Sequence, residues 1–212
     1  MTNAKELRQR ARAQIKGRYA FYLLPVGIVF LVGAVANFLT GIANREGFAE
    51  SYRILSWVLP LVSFLVFLLI SNPMAVGLCR LFLLGAKKEP NPAELVTPFR
   101  RKYFRTVKNL LFTLLKILCW TLILIVPGVK KLLDYAMVPF ILAEEPELDD
   151  EDVCEKSKTM MQGNRWRLVK LLLSFWPWLI LAIVTMGLGL LLLWPYLHAA
   201  LAQFYLEIKN EN

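Results

Sequence analysis

Long apolar runs separated by short polar segments dominate this sequence. A transmembrane α-helix needs about 20 mostly apolar residues, so runs of this kind predict membrane segments. The pattern therefore predicts an all-α, polytopic transmembrane helical bundle of about six segments, with residues 1–212 forming a single membrane domain. The six predicted segments are 21–42, 54–84, 107–126, 132–143, 168–185 and 190–208.

Helix-breaking residues interrupt one of these segments and directly follow another. Ser71-Asn72-Pro73 interrupts 54–84, and we expect one long helix that is kinked at Pro73, with its freed backbone groups satisfied by neighbouring residues. Pro127-Gly128 follows the segment 107–126 and is expected to end it. The next segment, 132–143, is too short for a straight crossing. It therefore crosses obliquely, re-enters, or is shielded within the bundle.

The first 18 residues form a basic arm. Leu7, Ala11 and Ile15 recur every four residues and share one helical face, and basic residues cover the remainder. This pattern is typical of a short interfacial helix on an anionic membrane surface, but a solvated arm that only fixes topology explains it equally well. Ala34-Val35-Ala36 resembles a signal-peptidase site. The apolar run continues past it, so we expect no cleavage.

Composition and charge agree with a membrane protein. Hydrophobic residues make up 57% of the chain and charged residues only 19%, against about 25% charged in soluble domains. The net charge of +9 comes from Lys and Arg residues that lie in bursts beside the apolar runs. With six crossings and both termini cytoplasmic, most of them fall inside, as the positive-inside rule requires; Lys130 and Lys131 are the main exceptions. We expect a multi-pass plasma-membrane protein, and no nucleic-acid partner.

The basic bursts are also candidate contacts for anionic lipid headgroups. Beyond the bilayer itself, the expected partners are these headgroups and either another membrane protein or a second copy of the chain. The candidate lipid-contacting residues are Arg8, Arg12, Lys16 and Arg18 in the arm, Arg100, Arg101 and Lys102 in the middle, and Arg165 and Arg167 before the last two segments.

Ionisable groups inside membrane segments are costly and are functional candidates by default. Lys116 lies about 12 Å along a helix from Lys108, at 1.5 Å per residue, which is deep for easy contact with the cytoplasmic interface. Asp134 in the next segment is its candidate partner, either as a structural clamp or as part of a polar path. Lys130 lies four residues before Asp134 and competes for it.

Three further polar residues lie in predicted segments. His198, with Gln203 a little over one turn later, is either a proton-relay group or a packed, hydrogen-bonded histidine beside alanines. Asn37 lies between Gly33 and Gly41 on one helical face. This small and polar stripe suits close helix packing, and Asn37 is expected to bond across the interface.

The sequence offers little for metal or catalytic chemistry. Cys79, Cys119 and Cys154 are isolated, and His198 is the one histidine, so we expect buried or interfacial thiols and no zinc site. The acidic run 144–155 lacks the EF-hand spacing, and residues 149–161 are expected to form a solvated helix. No G-x-S-x-G, H-E-x-x-H or P-loop motif occurs. We expect no enzyme activity, no cofactor and no metal.

The C-terminal 90 or so residues contain a series of short motifs. They are Ile125-Val126-Pro127-Gly128-Val129-Lys130, Tyr135-Ala136-Met137, Ile141-Leu142-Ala143 with Pro146, Ser157, Met160-Met161, Gly163, Leu173-Ser174-Phe175, Trp178, Gly187-Leu188-Gly189, Pro195-Tyr196 and Phe204-Tyr205.

With these motifs the chain resembles an uncharacterised family of bacterial polytopic membrane proteins, domain-of-unknown-function family 975. It is also similar, more distantly, to the membrane domain attached to some glycerophosphodiester phosphodiesterases. Lys131-Leu132-Leu133-Asp134 departs from the more aromatic and small residues expected there, which makes Asp134 particular to this chain. The resemblance implies a multi-span bundle and carries no assigned activity.

Two functions fit these observations. The first is a non-catalytic lipid- or partner-binding accessory module of a transport or envelope system, which the basic bursts and the lack of catalytic motifs favour. The alternative is a small transporter or channel subunit that uses Lys116, Asp134 and His198. It rests on these groups and on the breaks at Pro73 and Pro127, since transporters build binding sites at broken helices.

Overall fold

The structure is a computed structural model of the chain, and it describes residues 4–45, 47–87, 90–100, 102–123, 125–178, 180 and 188–211. Within these residues the secondary structure is helical throughout, which confirms the all-α class. The helices are α1 (Ala4–Ile15), α2 (Tyr19–Ala43), α3 (Phe48–Ser51), α4 (Arg53–Val66), a π-helical segment (Phe67–Ser71), α5 (Asn72–Lys87), a 3-10 segment (Pro92–Val96), α6 (Thr97–Arg100), α7 (Tyr103–Ile123), α8 (Ile125–Asp134), α9 (Val138–Glu144), α10 (Asp150–Met161), α11 (Arg165–Leu173) and α12 (Leu188–Glu211).

Three helical stretches in the described part of the chain are long and apolar enough to cross a membrane. They are Tyr19–Ala43, Arg53–Lys87 and Gly189–Glu211, and they correspond to the predicted segments 21–42, 54–84 and 190–208. The other three crossings stay predictions. Segment 107–126 lies mostly in α7 and 132–143 in two shorter helices, while much of 168–185 lies outside the described residues.

α2 and α4 form a hairpin with an apolar exterior. Ser63 Oγ donates to the Ala36 carbonyl at 2.9 Å and joins the two helices. Large side chains face outward on both, including Leu31, Phe38 and Trp57, which are 65%, 64% and 78% exposed. An apolar surface of this extent is unfavourable in water and is typical of a membrane or protein contact. It fits a hairpin surrounded by lipid.

The buried core lies between α1, the first half of α2, α5, α9, α10, α11 and α12. Tyr22 stacks on Phe82 with ring centroids 4.8 Å apart, and Phe140 stacks on Tyr205. Aromatic pairs of this kind contribute beyond their buried area. The core therefore links the N-terminal part of the chain to its last helix.

The predicted apolar face of the arm is confirmed. Leu7, Ala11 and Ile15 are 2%, 0% and 5% exposed. Their face packs on the protein, however, because α1 lies against α12. The sequence left open whether this helix lies on a membrane surface or is solvated, and the structure shows that its apolar face is covered by the protein itself. An amphipathic face requires an apolar cover without specifying which.

The break near Pro73 takes the form of a π-helical segment, Phe67–Ser71, between α4 and α5. Proline lacks an N–H and clashes with the carbonyl four residues earlier. That carbonyl belongs to Leu69, and Tyr103 Oη of α7 donates to it at 2.8 Å. A neighbour thus satisfies the backbone beside the proline, as the sequence predicted.

α7 and α8 form a tight antiparallel hairpin. A Cβ on Gly128 would lie 2.7 Å from Thr121 Cα, and Lys131 Nζ lies 5.4 Å from the Trp120 ring centroid. Pro127 and Gly128 were expected to end segment 107–126, but both lie in the first turn of α8. Proline is tolerated there because the first-turn N–H groups have no partner within the helix.

The chain then returns along α7 in two pieces. α8 ends at Asp134, residues 135–137 form a turn, and α9 continues to Glu144. The return reaches the end of the molecule where α7 begins, since Lys108 Nζ lies 2.8 Å from Asp150 Oδ1. The predicted segment 132–143 thus covers the end of α8, the turn and most of α9, which is why it was too short for one straight crossing.

Candidate functional site

Asp134, predicted as an intramembrane partner of Lys116, pairs instead with Arg165. Arg165 Nε donates to Asp134 Oδ1 at 2.5 Å, and Asp134 is only 1% exposed. Ser157 Oγ donates to the Asp134 carbonyl at 2.7 Å. The turn after Asp134 brings the end of α8 beside α10 and α11, which sequence spacing did not reveal.

Lys116 is half-buried on α7. Its Nζ lies 4.1 Å from the centroid of the Phe112 ring, one turn earlier on the same helix. A cation over an aromatic face is attracted by the ring quadrupole. No acidic residue in the described part of the chain forms an ion pair with Lys116, so the predicted Lys116–Asp134 clamp is wrong.

The remaining intramembrane candidates occupy different places. His198 is half-buried, stacked on Phe82 and tilted against Trp194, and its Nδ1 is buried without a hydrogen bond among the described residues. Gln203 Nε2 donates to Gln14 Oε1 at 2.8 Å. His198 is therefore a packed aromatic neighbour, and Gln203 ties α12 to α1.

Asn37 does not bridge helices as expected. Its Nδ2 donates to the Gly33 carbonyl of its own helix at 2.9 Å, and the residue is exposed. A Cβ on Gly33 or Gly41 would meet nothing within 4 Å. The predicted close packing of this stripe is therefore absent within the described residues, and Ser63 supplies the interhelical bond instead.

The acidic stretch that begins with Glu144, the last residue of α9, neutralises basic residues from other elements. Glu144 accepts hydrogen bonds from Tyr205 Oη at 2.9 Å and from Lys209 Nζ at 2.5 Å, and Lys87 Nζ lies 3.3 Å away. Burial raises the pKa of Glu144, but the bonds from Lys209 and Tyr205 outweigh it and leave the pKa below its usual value.

Further carboxylates of this stretch act in the same way. Lys102 pairs with Glu147 at 3.1 Å, and Lys156 pairs with Glu145 at 2.6 Å. Lys108 donates to Asp150, which lowers the pKa of that carboxyl. The helix predicted over 149–161 is present as α10, and Glu151, Asp152 and Glu155 on it are exposed, as expected. Glu145, Glu147 and Asp150 also form ion pairs with basic residues of other elements.

These pairs reduce the set of cations available to lipid. Arg165 is held by Asp134, and Arg167 donates to Glu207 and Glu211. Arg100 borders an open cavity of about 650 Å³ that also contains Glu144, Glu145 and Glu147. Arg101, also predicted, lies outside the described residues. The middle and C-terminal bursts thus face carboxylates of their own chain.

The arm differs from the other bursts. Arg8 donates to the Ser174 carbonyl at 3.0 Å and so connects the arm to the chain after α11. Arg12 and Lys16 are exposed and form no ion pair with any residue that the structure describes. Both border a cavity of about 480 Å³ between the end of α1 and the first half of α12.

This cavity was not predicted. Its walls include Ile15, Tyr19, Trp178, Leu193 and Tyr196, most of which are apolar or aromatic. In the sequence, only the basic residues beside an apolar face indicated this cavity. The packing of α12 against the arm could not be predicted. An apolar cavity beside unpaired cations can hold an amphipathic anion.

Comparison with known proteins supports the family resemblance over part of the chain. Residues 117–212 match the model of the family described as "Protein of unknown function (DUF975)". This region holds the Asp134–Arg165 and Arg167–Glu207 pairs but not the arm. No curated protein and no solved structure matches the chain.

Proposed function

We propose that the chain is a non-catalytic, multi-pass protein of the bacterial plasma membrane that binds anionic lipid or a protein partner, as an accessory module of a transport or envelope system. The observation that carries the proposal is the contrast among its basic residues. Lys102, Arg165 and Arg167 face carboxylates of their own chain, whereas Arg12 and Lys16, which border a cavity, form no ion pair with any described residue. Unpaired cations near a membrane surface attract anionic headgroups.

The contacts also support the proposed orientation. Lys87, at the end of α5, and Lys209, near the end of α12, both reach Glu144. Gln14 of the arm bonds to the Phe82 carbonyl in the second half of α5 and to Gln203 in the second half of α12. The basic ends of the three candidate membrane helices therefore lie on one side. The positive-inside rule makes that side cytoplasmic, with both termini there.

Labelling of single cysteines in intact cells tests this orientation. The exposed Cys119 is first replaced by serine, and Lys5→Cys, Glu211→Cys or Arg45→Cys is then introduced. A membrane-impermeant maleimide should label only Arg45→Cys until the membrane is opened. Labelling of Lys5→Cys or Glu211→Cys in intact cells would contradict the orientation.

Gentle solubilisation followed by mass spectrometry of the retained molecules tests the binding function. We expect either a stoichiometric protein or selected anionic lipid. A stoichiometric protein would identify the system that the module serves. Recovery of the chain with neither, under conditions in which it stays folded, would contradict the proposal.

The transporter alternative has less support. Asp134 faces Arg165 at 2.5 Å and Lys116 lies over Phe112, so two of its three residues are engaged in other contacts. His198 is the remaining group, and its ring is packed against Phe82 and Trp194. The alternative predicts that His198→Gln abolishes transport but spares assembly, whereas the accessory module predicts unchanged lipid and partner binding.

A further inference from the structure

The cavity beside the arm is bounded by elements that are far apart in sequence. Ile15 and Tyr19 come from the N-terminal region, Trp178 follows α11, and Leu193 and Tyr196 belong to α12. Its volume of about 480 Å³ lies within the roughly 300–1,000 Å³ of small-molecule sites. Tyrosine and tryptophan rings favour the boundary between apolar lipid and water, so these walls suit a molecule with both characters.

Arg12 and Lys16 supply positive charge at one border of this cavity. They are four residues apart on α1 and its extension, which places them on neighbouring positions of one helical face. Neither forms an ion pair within the described residues, and both are exposed. Two neighbouring cations that have no carboxylate partner are complementary to a phosphate group.

The border is held in place by contacts that do not use the two cations. Ile15, between them, is 5% exposed. Tyr19 Oη donates to the Leu192 carbonyl at 2.7 Å, and Tyr196 Oη donates to the Arg8 carbonyl at 3.2 Å. Gly17 has a φ of 78°, which turns the chain from α1 into α2 at little steric cost. A pre-organised site of this kind loses little entropy when a ligand binds.

We infer that this cavity binds one anionic phospholipid, with its phosphate at Arg12 and Lys16 and an acyl chain against Leu192, Leu193 and Trp178. The inference rests on the proposed function and specifies its ligand and site. A lipid fits better than a free phosphate ion because the walls are mostly apolar. It fits better than a peptide because the cavity lies beside α2 and α12, two of the candidate membrane helices.

The test is a lipid titration of the purified full chain in neutral detergent, followed by native mass spectrometry. The two probes are phosphatidylglycerol and phosphatidylcholine with the same acyl chains. We expect one phosphatidylglycerol to bind about 30-fold more tightly, since each basic side chain near the surface contributes about fivefold. Glycerol phosphate without acyl chains should not compete in excess.

Matched double variants locate the site. Arg12→Gln with Lys16→Gln should remove most of the preference for phosphatidylglycerol. Lys5→Gln with Arg10→Gln removes the same charge from exposed positions of α1 that do not border the cavity, and should keep the preference. Leu192→Trp adds bulk to the cavity wall and should weaken binding of both lipids. Thermal unfolding and gel filtration verify that each variant folds.

The outcomes separate this inference from the proposed function. Equal loss in both double variants would indicate diffuse charge attraction and overturn the site, as would unchanged binding by the Arg12 and Lys16 variant. In both cases the proposed lipid binding survives. A stoichiometric protein that depends on Arg12 and Lys16, without bound lipid, would also overturn the site and would favour the partner-binding form. A wild-type chain that retains neither ligand contradicts both proposals.

Discussion

Arg165 Nε lies 2.5 Å from Oδ1 of Asp134, a carboxylate whose residue is 1% exposed, and the pair joins α11 to the end of α8. A buried charge requires a partner, and removing one member is far more costly than replacing both. The pair lies within the region that matches the family model. The pair therefore links two elements of the C-terminal half of the fold.

We expect Arg165→Met to destabilise the protein by about 3–5 kcal/mol, because it leaves the Asp134 carboxylate buried without its cation. Asp134→Asn in the same chain should restore most of that loss. Thermal unfolding of the detergent-solubilised protein measures both. Lys116→Met is the control and should cost no more than about 1 kcal/mol, since Lys116 has no acidic partner among the described residues and loses only its contact with the Phe112 ring. A double variant no more stable than Arg165→Met would contradict the pair's role.

Tyr103→Phe should cost about 1 kcal/mol, because it removes the hydroxyl that donates to the Leu69 carbonyl. The cost should fall close to zero in a Pro73→Ala background, where the N–H of residue 73 can donate to that carbonyl in a regular helix. A double-mutant cycle from unfolding in denaturant measures the coupling. Tyr52→Phe is the control, since Tyr52 is 60% exposed. Additive costs would show that the tyrosine and the proline are independent.

The sequence predicts this fold best where a long apolar run decides the structure by itself. The stretches Tyr19–Ala43, Arg53–Lys87 and Gly189–Glu211 follow from length and hydropathy. The break at Pro73 follows from the missing proline N–H. In each case the responsible chemistry is local, so it can be read from the amino-acid sequence.

Tertiary partners could not be predicted in the same way. Lys116 and Lys130 are both nearer in sequence to Asp134 than Arg165 is, yet the turn at 135–137 selects Arg165. The apolar face around Ala11 was evident, but its cover, α12, comes from the other end of the chain. The cavity beside Arg12 depends on that same packing, which is why the candidate site emerges only from the structure.

Glu144 should make the protein sensitive to acid. Its pKa lies below the usual 4.5 in the folded state, so its contribution to stability is fully present above about pH 4.5 and is lost as the pH falls through the folded value. Glu144→Gln should therefore lower stability at pH 7, on the order of 1–2 kcal/mol after allowance for solvent screening. It should also lose less stability than the wild type between pH 5 and pH 3.

Unfolding midpoints measured across this pH range give the two slopes. Glu151→Gln is the matched control, because Glu151 is exposed and forms no ion pair with any residue in the described ranges. Its pH dependence should follow that of the wild type. Parallel curves for wild type and Glu144→Gln would contradict the contribution assigned to Glu144.

Gly77 permits a close approach between α5 and the 3-10 segment Pro92–Val96. A Cβ at this position would lie 2.8 Å from the carbonyl carbon of Leu95 and 2.9 Å from its Cα. These are backbone atoms, which cannot rotate away as a flexible side chain can. The approach lies beside the ion pair between Arg80 and Glu94, whose Nε and Oε2 are 2.7 Å apart. Any displacement of the segment would therefore disturb that pair too.

We expect Gly77→Ala to destabilise the protein by about 1–3 kcal/mol through overpacking. Gly33→Ala is the matched variant, because a Cβ on Gly33 meets nothing within 4 Å and alanine is favoured over glycine within a helix by about 0.5–1 kcal/mol. The two identical substitutions should therefore shift the thermal unfolding midpoint in opposite directions. A midpoint raised by Gly77→Ala would show that the 3-10 segment Pro92–Val96 can move away from α5 without loss of stability. A midpoint lowered by Gly33→Ala would show that this face of α2 packs closely in the folded protein.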